Sequence, residues 1–108
     1  MEEIKVNDFV RLRDGEITRV KAINEKTFKC EFHKVNCELF IDYIVKHSSN
    51  IIDLIEVGDF VNGKKVEKIN EYKDGKSIIA LIGIIDEKDI KSILTKEQFA
   101  NAEYRLEE

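Results

Sequence analysis

The segment "VNDFVRLRDGEITRVKAINE", residues 6–25, returns in shortened form as "VGDFVNGKKVEKINE", residues 57–71. Val6, Asp8, Phe9 and Val10 recur 51 positions later as Val57, Asp59, Phe60 and Val61. Val20, Ile23, Asn24 and Glu25 recur 46 positions later as Val66, Ile69, Asn70 and Glu71. A third match sets Ile41, Ile44 and Val45 against Ile90, Ile93 and Leu94 at a shift of 49. Three matches in one order point to a duplicated structural unit, and the drifting shift points to unequal loops. In a chain of 108 residues, each unit then has about 50 residues, a size at which a single core is marginal.

Each copy reads as short β-strands. Residues 9–12 form a strand closed by Asp14-Gly15, and the second copy uses Asn62-Gly63, a strong hairpin signal. Residues 17–23 form a second strand. Val20 and Ile23 stand three apart, as do Val66 and Ile69, so a bend at the same place in each copy is expected to turn both inward. Residues 27–32 form the third strand and 37–45 the fourth. Their counterparts are 77–85 and 89–94. The run 78–85 is apolar on both faces, which suggests burial between layers or at a subunit contact, so an oligomer is open. Ser48 or Ser49 can cap one helical turn, and Thr95 with Gln98 forms a capping box opening a helix near 96–103. Short apolar stretches at 54–55 and 104–106 close the units.

The order of strands and helical turn predicts a mainly β protein: two tandem SH3-like small barrels, residues 1–56 and 57–108, with a short C-terminal helix. The alternative is a single α+β domain with one mixed sheet.

The charges constrain function. The net charge is −4, with nine basic and ten acidic residues in 1–55 and nine and twelve in the remainder, so neither half is a basic nucleic-acid binder by balance. No apolar run is long enough for a membrane span and no signal-peptide pattern opens the chain, so a cytoplasmic protein is expected. Its two cysteines are then expected as free thiols. Cys30, His33, Cys37 and His47 have spacing that superficially suits zinc, yet strand parity points Cys30 and His33 to opposite faces, so no metal or cofactor is expected. A short loop at 34–36 sets Cys30 opposite Leu39 or Phe40, which argues against a disulfide with Cys37. Ser48, Ser49 and His47 make no nucleophile elbow, Asp8 and Asp59 suit turn caps, and no phosphate-binding glycine loop occurs. The chain is therefore expected not to be an enzyme.

Two kinds of binding residue stand out. Three of the four arginines lie in "RLRDGEITR": Arg11, Arg13 and Arg19, with Lys21 close by. Arg11 and Arg13 share a strand face, and guanidinium forks suit phosphate, so this hairpin is the candidate for a nucleotide, RNA or DNA. Phe40 and Tyr43 fall on alternate faces, and Tyr72 lies in a polar turn. Tyr43 and Tyr72 are candidate partner contacts, since exposed aromatics are enriched at binding hot spots.

The segments "KHSSNIIDLIEVGDFVNGKKVEKI" and "DIKSILTKEQF" resemble a group of short, uncharacterised proteins encoded in phages and prophages of low-GC Gram-positive bacteria. The resemblance covers roughly residues 46–99 and is looser in the N-terminal half. It carries no catalytic residue. It implies a setting: a small phage accessory protein acting in the host cytoplasm, binding and inhibiting a bacterial antiviral defence component, either a protein or a protein–nucleic acid complex, as an anti-CRISPR does. The alternative it leaves open is a sponge that sequesters a signalling nucleotide.

Overall fold

The computed structural model describes residues 3–32, 34–80 and 83–102. The protein is mainly β and divides into two units, residues 1–54 and 55–108, so the boundary lies two residues before the expected one.

Unit 1 contains β1 (Phe9–Leu12), β2 (Ile17–Arg19), β3 (Ala22–Ile23), β4 (Thr27–Phe32) and β5 (Val35–Phe40). A 3-10 turn, Ile41–Tyr43, leads into β6 (Ile44–Ser48), and a second, Ile51–Leu54, follows it. β1 lies between β2 and β6, and β4 lies between β3 and β5. Unit 2 contains β7 (Phe60–Val61), β8 (Lys64–Tyr72), β9 (Gly75–Ala80), β10 (Gly83–Asp86), a 3-10 turn (Glu87–Asp89), β11 (Ile93–Leu94) and the helix α1 (Lys96–Ala102). Its strands form one sheet ordered β10-β9-β8-β7-β11.

The pairings make the two units equivalent strand by strand. The first strand of each contacts the second and the last. The second strand bends at Val20 in unit 1, between β2 and β3, and at a register shift between Val66 and Lys68 in unit 2. The shift of 51 becomes 46 within the first hairpin: Phe9 pairs with Arg19, whereas Phe60 pairs with Lys65. The extension belongs to unit 1 and carries "RLRDGEITR". Matched core positions are closed in both copies: Val10 and Val61, Val20 and Val66, Phe28 and Ile78, and Cys30 and Ala80 are all buried.

What the repeat preserves is a hydrogen-bonded opening turn. Asp8 Oδ2 accepts the Lys5 N–H at 3.0 Å, and Asp59 Oδ2 accepts the Glu56 N–H at 2.7 Å. Asn7 and Gly58, one residue earlier, have φ of 77° and 99°, a region that Gly and Asn enter at low cost. The Asn7 and Gly58 N–H groups donate to Val20 and Val66 carbonyls at 2.8 and 3.0 Å. Val20 and Val66 return bonds to the Asp8 and Asp59 carbonyls at 2.9 and 2.8 Å. The carboxylates thus cap turns, as their position suggested.

The copies differ in what else each carboxylate holds. Asp59 is fully buried, and its Oδ1 accepts the Lys96 N–H at 2.9 Å, tying the start of α1 to the turn. Asp8 instead has His47 Nδ1 at 3.4 Å. Asp59→Ala orphans two N–H groups bonded to a charged acceptor and is expected to cost roughly 2–4 kcal/mol, more than Asp8→Ala. Urea unfolding of the two variants checks the order.

Several expectations change. Ile23 does not turn inward with Val20 but is 37% exposed. The fourth strand of unit 1 is not continuous over 37–45, because the turn Ile41–Tyr43 divides it into β5 and β6. The run 78–85 is not one buried strand but parts of β9 and β10, with Ile78 opposite Ile85 on the buried side and Ile79 opposite Ile84. Ile44, not Ile41, is the counterpart of Ile90: each donates its N–H to the first residue of the preceding 3-10 turn. The last match therefore keeps the shift of 46. The helical turn expected after Ser48 is present as the 3-10 turn Ile51–Leu54, and a further 3-10 turn, Ile41–Tyr43, precedes β6. Leu54 lies in a 3-10 turn, while 104–106 lie outside the described residues. The β4–β5 hairpin pairs Phe32 with Val35, which sets Cys30 directly opposite Cys37 instead of Leu39 or Phe40.

Other local signals hold. Asn62 and Gly63 both have positive φ in a two-residue hairpin loop. The Thr95 N–H donates to Gln98 Oε1 at 3.1 Å and the Gln98 N–H to Thr95 Oγ1 at 3.3 Å, a reciprocal capping box. In unit 1, Thr27 Oγ1 and Asn24 Nδ2 donate to Glu38 Oε2 at 2.5 and 2.9 Å. These bonds, Thr27's first, hold the Glu38 carboxyl below the usual range. The tie is therefore complete above the unfolded glutamate value and disappears as pH falls through the depressed folded value. An NMR titration should find Glu38 below an ordinary glutamate, and titration at the ordinary value contradicts the tie.

Candidate functional site

The first hairpin does not assemble its basic residues into one surface cluster. Arg11, in β1, is only 1% exposed, and its guanidinium donates to the Leu54 carbonyl at 2.9 Å. It belongs to the interior of unit 1. Arg19 is exposed and lies over the Phe9 ring, 4.7 Å from its centroid, with Nε donating to the Asn7 carbonyl at 3.0 Å. Lys21 pairs with Glu31 at 3.0 Å. Arg13 stands beyond β1, in the loop where Gly15 takes φ of 89°. Arg11 and Arg13 therefore do not share an exposed face.

Arg13 meets an aromatic residue instead. Its guanidinium carbon lies 5.5 Å from the centroid of Tyr43, within cation–π range, and its N–H donates to the Tyr43 carbonyl at 3.0 Å. Tyr43 packs edge-on against Phe40, with centroids 6.0 Å apart and planes at 80°, a favoured aromatic geometry. Phe40 is 55% exposed and Tyr43 43% exposed. Phe40 ends β5, the outer strand of its sheet, and Tyr43 ends the 3-10 turn before β6. The hairpin extension, the end of an edge strand and the 3-10 turn thus bring Arg13, Tyr43 and Phe40 together. Sequence parity identified Tyr43 and Arg13 separately. Their proximity and the part of Phe40 come from the pairing of β1 with β6, which no local pattern shows.

In unit 2 the positions of Phe40 and Tyr43 are occupied by Asp86 and Asp89, since each pair brackets its 3-10 turn in the same way. The second hairpin is too short to supply an Arg13. The surface is peculiar to unit 1.

Tyr72 is exposed at the β8–β9 turn, where the Asn70 amide donates to its hydroxyl at 3.4 Å. It lines an open groove of about 790 Å³ with Ile84, Ser77 and Lys88. Tyr72 and Tyr43 therefore belong to different units. Of the four residues with zinc-like spacing, Cys30 and Cys37 face each other, His47 lies beside Asp8 in the other sheet of unit 1, and His33 lies outside the described residues. Among the described residues no group of three or more His, Cys, Asp or Glu side chains stands close enough to hold a metal ion, and no helix is long and apolar enough to cross a membrane.

Comparison with protein-family models, curated proteins and solved structures finds no match to this chain.

Proposed function

We propose that the chain is a non-enzymatic phage accessory protein that binds and inhibits a bacterial antiviral defence component in the host cytoplasm, as an anti-CRISPR does, through Phe40, Tyr43 and Arg13. The observation that carries the binding surface is the difference between the copies. Unit 2 keeps the same turn with Asp86 and Asp89 in place of the two aromatics, so the fold does not require rings there. Exposed Phe and Tyr beside Arg are the residue types that dominate protein–protein hot spots. The adjoining edge strand offers backbone groups to the same partner. The nature of the partner rests on the resemblance to phage-encoded proteins, and a defence protein alone or with its nucleic acid suits it.

We read each unit as an SH3-like small barrel. The support is the shared connectivity: a first strand flanked by the second and the last, a bent second strand, and a 3-10 turn before the final strand. For the nucleotide-sponge alternative, Arg11 is withdrawn from the surface, which leaves Arg13, Arg19 and Lys21 as its basic residues, each with an intramolecular partner.

Tagged protein expressed in a phage-sensitive Gram-positive host tests the reading. A defence component should co-purify in fixed stoichiometry and, once purified separately, bind the chain in calorimetry. Recovery of a small nucleotide from the denatured protein, with no bound defence component, contradicts it.

A further inference from the structure

We propose that Cys30 and Cys37 form a dithiol site on the β4–β5 hairpin, which a low-molecular-weight disulfide converts into a cross-strand disulfide. The two residues are register partners in an antiparallel pair, so their side chains leave the same face of the sheet. Directly opposed residues have Cα atoms about 4.5–5.5 Å apart, inside the roughly 4.4–6.8 Å that a disulfide spans. Both thiols are free in this structure.

Their surroundings give the two sulfurs different parts. Cys30 is fully buried and Cys37 is half-buried. Both line a surface groove of about 430 Å³, with Lys21, Lys29, Asn36 and Glu38 among its walls. A small disulfide entering this groove meets Cys37 first. Burial pushes the Cys30 thiol above its ordinary value, and the neighbouring Cys37 adds to the shift.

The internal duplication shows that packing does not demand these thiols. The equivalent cross-strand pair in unit 2 is Ala80 and Gly83. The buried position of the rung is filled by Ala80 there. Two cysteines on one rung are a chemical departure from the repeat.

The chemistry balances as ordinary thiol–disulfide exchange. The Cys37 thiolate attacks one sulfur of R–S–S–R, the S–S bond breaks, and one RS⁻ leaves. Cys30 gives its proton to water and attacks Cys37 Sγ, and the second RS⁻ departs from the mixed disulfide. The protein loses two electrons and two protons, and the oxidant becomes two RSH. The new bond fixes the hairpin whose second strand ends at Phe40. In a reducing cytoplasm such a bond is transient and responds to the thiol pool.

The test uses the reduced full chain incubated with oxidised glutathione, quenched in acid, alkylated under denaturing conditions and weighed intact. The expected product is a monomer lighter by two hydrogen atoms with no alkylated thiol, restored to two alkylated thiols by dithiothreitol. Cys30→Ser should stop at a glutathione adduct on Cys37. Cys37→Ser, at the more exposed position, should leave Cys30 alkylatable and unmodified. A wild-type chain that keeps two alkylatable thiols, accumulates a stable glutathione adduct, or oxidises only into covalent dimers overturns the proposal.

Discussion

Arg11→Ala is expected to lower the stability of unit 1 by about 3 kcal/mol or more, the scale of a broken buried charge contact combined with a cavity. Among the described residues the side chain is the largest of those closed to solvent, and it ends on the Leu54 carbonyl at 2.9 Å. Truncation removes that donor and leaves both an orphaned acceptor and unfilled volume. Arg11→Met keeps much of the apolar stem and should lose less. Arg13→Ala, at an exposed loop position, should change stability by no more than about 0.5 kcal/mol. Urea unfolding of the three variants measures the order. An Arg11→Ala protein as stable as wild type, with impaired binding of a phosphate ligand, would return Arg11 to the surface role its sequence neighbourhood suggests.

The second large effect concerns binding. Phe40→Ala and Tyr43→Ala should each weaken the complex with the defence component by about 2 kcal/mol, roughly thirtyfold, as expected for aromatic hot spots. Arg13→Glu should act in the same direction, because it removes the cation over Tyr43 and reverses the charge at the surface. The sharpest variant combines Phe40→Asp and Tyr43→Asp, transplanting the unit 2 residues into unit 1. Since unit 2 builds the same 3-10 turn with Asp86 and Asp89, this variant should fold with near wild-type stability and still fail to bind. Calorimetry paired with thermal unfolding separates the two quantities. Unchanged affinity in the double variant places the interface elsewhere, with the Tyr72 groove the next surface to examine.

Local signals were the most legible part of the sequence. Asp8 and Asp59, the Asn62-Gly63 turn, the Thr95–Gln98 box and the bends beside Val20 and Val66 each depend on residues close in the chain. Long-range register was less legible. The pattern Ile-x-x-Ile-Val in 41–45 matches Ile-x-x-Ile-Leu in 90–94 by residue type, but the hydrogen bonds of the two 3-10 turns set the correspondence three residues away. The run 78–85 lacks the polar punctuation that separates strands elsewhere, so its division into β9 and β10 left no clear local signal. An assumed loop at 34–36, where Val35 already pairs with Phe32, also concealed the Cys30–Cys37 pairing, since cross-strand register is set by the turn. Arg11 eluded a reading of charge pattern because an arginine can be buried when its donors find acceptors, and its acceptor lies 43 positions along the chain.

The proposed binding surface was partly legible for the same reason. Arg13 and Tyr43 were visible as residue types, but Arg13 was grouped with its sequence neighbours. Antiparallel pairing of β1 with β6 instead brings the end of the first hairpin to the 3-10 turn. Duplication supplies the remaining argument. Positions that agree between the units build the opening turn and core, and positions that differ, Phe40 against Asp86 and Tyr43 against Asp89, are free to carry function.

Phage plating on a host that carries the matching defence system tests the central claim most directly. Expression of the wild-type chain should restore plaque formation, while Phe40→Asp combined with Tyr43→Asp, produced at equal soluble levels, should not. Equal rescue by both proteins, or no rescue by the wild type against the defence component it binds, would contradict the account.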